Sequence, residues 1–334
     1  MIEQLINTQN ISDLEHLLDV QIALKIPGKE SIFTKDNVVE TLSKYRNIIV
    51  NDVSYYLSYY LVYFDYNDQN YIAKLKTNHD LIRSIYVEKL RTNSRRIRLD
   101  ISYDGSQYSG SQRQLNASTV QETLEGCLNN LLKDSIQLQS ASRTDKGVHA
   151  LHQVIHFDTV NPLPTHKIKS LLNTMLDEAI YVIKAEDVPQ VFHARYDVVD
   201  KTYVYKISHI KDPFKSKYTY YHKMIDLNTL NENISVFQGK HDFRSFSKAV
   251  NVEDTTRTIK SIKAYYASGQ TIIEICGDGF LRNMIRMMIG QVIYDIDFGK
   301  NTVKEALNHP DDLSMKHVAK AEGLYLKTIN YEKR

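Results

Sequence analysis

Tryptophan is absent from the 334 residues, and cysteine occurs only at Cys127 and Cys276. Two distant cysteines exclude a disulfide framework, and neither has a second Cys or His at ligand spacing, which also argues against a structural zinc site. That usage predicts a reducing, cytoplasmic setting. No run reaches the roughly 18 apolar residues of a membrane helix. The opening MIEQLINTQNISDLEHLL lacks a basic region and a small-residue cleavage pattern, so neither a signal peptide nor a membrane partner is expected. Charge of one sign is lacking too: the net charge is +2, from which no nucleic-acid partner can be argued. Its distribution says more, because residues 82–98, IRSIYVEKLRTNSRRIR, carry six bases against one acid. That stretch reads either as a phosphate contact or as a solvated linker ending a helix.

What is present is ordinary globular usage, 42% hydrophobic and 25% charged, enough for about two domains. Residues 1–94 read as a small appended domain with its basic linker, without a motif. Within it the patterns predict a helix near 10–19, a helix and strand over 36–52, a Tyr-rich hairpin turning at Asn67-Asp68, and a helix over 79–90. From Ile97 the alternation sharpens: RIRLDISYDG puts Ile97, Leu99, Ile101 and Tyr103 on one face of a strand that stops at Asp104-Gly105. STVQETLEGCLNNLLK then predicts a helix capped by Ser118 or Thr119, with Val120, Leu124, Leu128 and Leu131 inward. Strands IQLQS and LHQVIHFDT bracket a polar loop, SASRTDKGVHA, at 140–150. A helix at 165–176, a strand at 180–187 and two strands joined near Asp200 follow. Then come a helix at 226–237, a hairpin through Ser268-Gly269 and a helix over GFLRNMIRMMIGQVIYDI. The class is α+β: two similar halves, 95–200 and 201–334, with a mixed or antiparallel sheet covered by helices and a cleft between the halves.

Several chemistries drop out. On a strand rising about 3.3 Å per residue, His152 and His156 stand too far apart to share an ion, and His149 precedes them, so no metal is expected. There is no Walker-type loop and no Gly-x-Ser-x-Gly, and the Pro-Cys-x-x-Cys of zinc deaminases is missing. What remains is Asp145, a loop carboxylate two residues after Arg143 and two before Gly147. A neighbouring cation keeps such a group ionised, which suits a nucleophile or a general base. The plain alternative is a turn residue.

Ordered motifs decide between them. YDGSQYSGSQRQ (103–114), SRTDKGVHALHQVIHF (142–157), FHARYDVVDKTYVYKI (192–207), FQGKHDFRSF (237–246), TTRTI (255–259), GDGFLRNMIRMMIG (277–290) and AEGLYLKTINY (321–331) resemble, in order, the tRNA pseudouridine synthase A family. The resemblance implies the pseudouridine synthase fold and isomerisation of uridine to pseudouridine, without cofactor, in a structured RNA, with the tRNA anticodon arm as target and a homodimer as the working form. It implies that Asp145 is the catalytic aspartate, that Tyr203 stacks on the flipped base and assists removal of the C5 proton, and that Arg286 pairs with the aspartate. Arg143 would fill the place of the flipped uridine, and Phe280 and Leu281 would wall the base pocket. Lys146 and Arg113 are candidate phosphate contacts.

The chain departs from the family pattern at Ser111, where Trp is usual, at Ala141-Ser142, where Gly is usual before the Arg, and in the extra residues 1–94. That unit keeps a stem-loop of large-subunit ribosomal RNA open as the target. A reading of another class, a non-catalytic RRM-like RNA binder using Tyr203 and Tyr205, has no use for Asp145.

Overall fold

The structure, a computed structural model, describes residues 18–26, 29–34, 49–56, 59–66, 69–78, 81–90, 93–248, 254–310 and 315–331. The helix expected at 10–19 falls outside these apart from its last two residues, and so does that expected from 36 onward. The described residues divide between Arg96 and Ile97 into two compact units, with Val188–Phe192 belonging to the first.

The first unit is a six-stranded sheet of β1 (Leu18–Ile26), β2 (Lys29–Thr34), β3 (Ile49–Tyr56), β4 (Tyr59–Tyr66), β5 (Gln69–Asn78) and β6 (Leu81–Lys89), in the order β2-β1-β6-β5-β4-β3. β4 and β5 pair antiparallel with Tyr66 opposite Gln69, and the turn expected at Asn67-Asp68 lies outside the described residues. Leu61, Ile72 and Val191 share a core cluster.

The helix expected over 79–90 is instead β6. The misreading has a physical cause: the register shifts between Lys76, opposite Ser84, and Thr77, opposite Ile82. Such a bulge adds a residue to one strand. It brings Ile82 and Ile85, both buried, to a helix-like spacing of three. Of the basic stretch, residues 82–89 lie in β6 and 95–98 in β7 (Arg95–Tyr103), and residues 91–92 lie outside the described residues.

The second unit continues with α1 (Val120–Leu132), β8 (Gln139–Ser140), β9 (His149–Thr159), α2 (Thr165–Met175), β10 (Ile180–Val188), β11 (Val198–Ser208), β12 (Tyr220–Tyr221) and α3 (Leu227–Ser235). After them come β13 (Gly239–Asp242), β14 (Thr256–Ala267), β15 (Gln270–Gly277), α4 (Met284–Phe298), α5 (Thr302–Asn308) and β16 (Leu324–Tyr331). Eight strands run β10-β7-β9-β16-β11-β15-β14-β13, with β8 on β9 and β12 on β11. β9 and β16 are parallel while β16-β11, β11-β15 and β15-β14 are antiparallel, so the sheet is mixed and the class is α+β.

Thr119 caps α1 by accepting from the Glu122 amide, an interaction worth about 1 kcal/mol. Val120, Leu124 and Leu128 are buried as expected, but the last inward position is Leu132 and not Leu131. In α4 nine of fifteen residues are buried, which makes it a core helix and not a surface one. Two expected boundaries move. Residues 189–197 are not a strand, so β11 stands alone where two strands meeting near Asp200 were expected. The helix expected from Gly279 starts at Met284, because Asn283 has φ 61° and turns the chain before it. No helix among the described residues is long and apolar enough to cross a membrane.

Candidate active site

The polar loop leaves β8 and enters β9 beside the start of the parallel strand β16. The Val148 amide donates to the Asp145 carbonyl at 3.1 Å, and Gly147 takes φ 81°, the turn position that favours glycine. So Asp145-Lys146-Gly147 is indeed a turn, but a turn held from three sides. The Thr144 amide donates to the Ser111 hydroxyl at 2.8 Å, the Ser111 amide to the Thr144 carbonyl at 3.0 Å, and the Thr144 hydroxyl shares a hydrogen bond with Tyr103 at 2.7 Å. Gln153 donates to the Ser142 carbonyl at 2.6 Å, and Lys201 to that of Ala141 at 2.8 Å. Gly105 closes the set: a Cβ there would lie 1.9 Å from the Val148 oxygen, so only glycine lets the first motif pack against this loop.

These anchors leave the Asp145 side chain about one-third exposed. Its Oδ2 accepts from Asn283 Nδ2 at 2.5 Å and from Arg286 at 3.2 Å. Among the described residues nothing donates to Oδ1. Arg286 is fixed in turn, since its Nε donates to the Ala319 carbonyl at 2.8 Å and the Ala319 amide donates to the Arg286 carbonyl at 2.9 Å. A guanidinium so held supplies both charge and direction to the carboxylate.

Tyr203 lies on β11 with its hydroxyl 2.9 Å from that of Ser142 and its ring edge-on to Phe280 at 5.1 Å. Burial pushes its phenol well above the ordinary range, and the Asp145 charge adds to the shift. It is therefore a neutral hydrogen-bonding group at pH 7. Tyr203 is only 5% exposed, so little of its ring is open for stacking on a base. Tyr103 is pushed up to about 12 by burial, and Lys201 down to about 8 by burial with Arg195 and Arg257 adding to it.

The other candidates divide. Arg143 and Lys146 are exposed on the loop and have no side-chain partner among the described residues. Arg113 is already paired with Glu125 at 2.5 Å. Leu281 is 8% exposed, a core residue more than a pocket wall. Two contributors escaped the sequence reading. Ser111 reads in the sequence only as a replaced Trp, and Asn283 carries no signal of its own, lying between Arg282 and Met284 in LRNMI, a stretch whose apolar pattern predicts a continuous helix. No group of His, Cys, Asp or Glu among the described residues is placed to hold a metal ion.

A family model described as tRNA pseudouridine synthase matches residues 101–197 and 234–332. The chain belongs to that family. With membership comes the class of reaction: this is an isomerase that converts uridine to pseudouridine. The chain is 36% identical over 247 residues to tRNA pseudouridine synthase A 2 of Clostridium tetani, covering 71% of this chain and 99% of that one. It is 38% identical over 245 residues to tRNA pseudouridine synthase A of an Exiguobacterium species, covering 72% and 99%. The enzyme of that name from Halalkalibacterium halodurans is 39% identical over 216 residues, covering 63% and 82%. Among solved structures, an NTF2-like protein of Cytophaga hutchinsonii covers 26% of this chain and 81% of that one at 12% identity with a TM-score of 0.23, too slight a likeness to bear on the fold. The comparisons favour neither the ribosomal RNA target nor the non-catalytic reading.

Proposed function

We propose that this synthase acts on tRNA, at uridines of the anticodon arm, with Asp145 as its catalytic carboxylate. The observation that carries the reading is the asymmetry of that carboxylate, with Oδ2 held by Arg286 and Asn283 and Oδ1 left open. The reaction breaks the bond between uracil N1 and ribose C1′ and joins C1′ to C5; C5 loses a proton and N1 gains one, so the product is an isomer. One positioned oxygen serves either of two openings, covalent addition or deprotonation of the ribose.

In this scheme Arg286 holds the Asp145 carboxylate in place. Tyr203 acts as a neutral phenol, and any proton it accepts from C5 must pass onward at once, with the Ser142 hydroxyl in contact. Arg143, exposed beside Asp145, takes the place vacated by the extruded uridine, and Lys146 meets a phosphate. The anticodon arm, the homodimer and the cytoplasmic setting rest on family resemblance. The tRNA target is supported further by the names of the relatives.

The test is tritium release from tRNA labelled at uridine C5. Asp145→Asn should abolish it while leaving tRNA binding nearly intact, and retained turnover removes the mechanism. Arg286→Ala should lower turnover more than affinity; a pure affinity loss would reassign Arg286 to phosphate binding. Mapping pseudouridines in cells with and without the protein locates the target, and changes confined to ribosomal RNA would refute the anticodon arm.

A further inference from the structure

Asn283 occupies a conformation that its neighbours do not explain. Its φ of 61° and ψ of 2° place it in the left-handed region, which disfavours side chains and which Asn tolerates better than most. It also stands at the N-cap of α4, where an Asn side chain ordinarily accepts from the first free amides of the helix. Here it makes no such cap. Its amide nitrogen instead donates across 138 residues of sequence to Asp145 Oδ2, at 2.5 Å, the shorter of the two contacts to that oxygen.

We infer that Asn283 is a positioning residue for the reaction: it surrenders the helix cap in order to lock the Asp145 carboxylate in one orientation. The inference rests on the reading of Asp145 as the catalytic group. The side-chain amide of Asn283, directly before α4, and the guanidinium of Arg286, three residues further along, meet at the same oxygen. Two donors on Oδ2 restrict rotation of the carboxyl group and leave Oδ1 as the reacting atom. Arg286 alone would permit the carboxylate to swing about its single contact, because one donor fixes a distance but not a plane. Asn also brings a donor without a charge, so it orients the carboxylate without adding to the ion pair.

The competing account is that Asn283 is present only because the backbone needs a left-handed residue. Glycine separates the two, since it accepts this conformation more readily than Asn and carries no donor. The experiment compares the full-length wild type, Asn283→Gly, Asn283→Asp and Asp145→Asn in single-turnover tritium release from unfractionated tRNA labelled at uridine C5, with melting temperature and KM measured alongside. A charge-assisted hydrogen bond of this kind corresponds to a loss of roughly 10- to 100-fold in rate. Asn283→Gly should show that loss in the chemical step with KM little changed and melting temperature not lowered. Asn283→Asp keeps the shape but sets a second carboxylate against Asp145, and should lose more.

A wild-type rate in Asn283→Gly overturns the inference, as does a loss that appears wholly in KM. If that variant melts lower and its rate recovers at a temperature where it is fully folded, the residue is structural and the inference fails. Retained turnover in Asp145→Asn instead overturns the reading of the catalytic group. An inactive Asp145→Asn beside a normal Asn283→Gly leaves that reading standing and removes only the role of Asn283.

Discussion

The hydroxyls of Tyr203 and Ser142 lie 2.9 Å apart and tie β11 to the loop that carries Asp145. Ser142 stands where the family pattern has glycine, so this chain has a hydroxyl partner for its tyrosine that the pattern does not provide. Tyr203 is buried, and deleting its partner strands a phenol away from water, at a cost of about 1–3 kcal/mol. Ser142→Gly should therefore destabilise the fold and reduce turnover, while Tyr203→Phe, which leaves the half-exposed Ser142 able to turn to solvent, should cost less stability. The double variant should depart from additivity by about 0.5 kcal/mol or more, and strict additivity in denaturant melts would show that the contact contributes nothing.

Two glycines in helices make an opposed pair. An added Cβ at Gly290, in α4, would lie 2.6 Å from both the Ala319 amide and the His317 carbonyl, the segment that holds Arg286. Gly290→Ala should push that segment away, cost about 1–3 kcal/mol, and lower turnover through Arg286. Gly126, exposed in α1, has nothing within 4 Å of an added Cβ, so Gly126→Ala should stabilise by roughly 0.5–1 kcal/mol and leave turnover unchanged. Melting curves and tritium release on both variants check the pair; equal behaviour would mean that Gly290 is not a spacer for Arg286.

Lys201 gives the pH dependence of stability a sign. Burial, with Arg195 and Arg257 adding like charge, lowers it from the ordinary 10.5 to about 8. Between those values the folded chain has released a proton that the unfolded chain still holds, so stability rises with pH, by up to ~1.4 kcal/mol per unit. Tyr103 works the other way but later: raised to about 12, it stays protonated in the folded chain after the unfolded phenol ionises near 10, so its contribution is lost as pH climbs from 10 to 12. In denaturant melts between pH 8 and 10, the wild type should gain on Lys201→Met with each step. A constant difference would mean that Lys201 titrates normally.

Much of this was legible in the letters, for reasons that differ by residue. The stripe Val120, Leu124, Leu128 and the cap Thr119 are local, and local periodicity suffices to read them. Asp145 and Arg286 are 141 residues apart, and only the ordered motifs put them together. Bulges and left-handed residues escape such reading. The shift opposite Ile82 mimicked a helix, and the turn at Asn283 hid inside an apolar pattern that ran on through it. Ser111 stood out as a missing Trp, yet its hydrogen bonds to Thr144 depend on a loop packing that no spacing rule reveals.

The first unit poses the last question. About 71% of this chain spans 99% of the Clostridium relative, so that relative's length leaves no counterpart for most of residues 1–94. The remaining chain begins at β7 and retains every contact to Asp145 described above. Removing residues 1–94 uncovers Val191, which shares its cluster with Leu61 and Ile72, and takes away the Lys74 donor to the Val191 carbonyl. A truncated chain carrying Val191→Ser should therefore fold, and it should turn over labelled tRNA at a rate comparable to the full chain. If the six-stranded sheet selects the RNA, the pseudouridine map of cells expressing the truncated chain should change while intrinsic turnover does not. An unchanged map reduces the unit to a bystander, and a truncated chain that fails to fold makes it part of the catalytic domain's own stability.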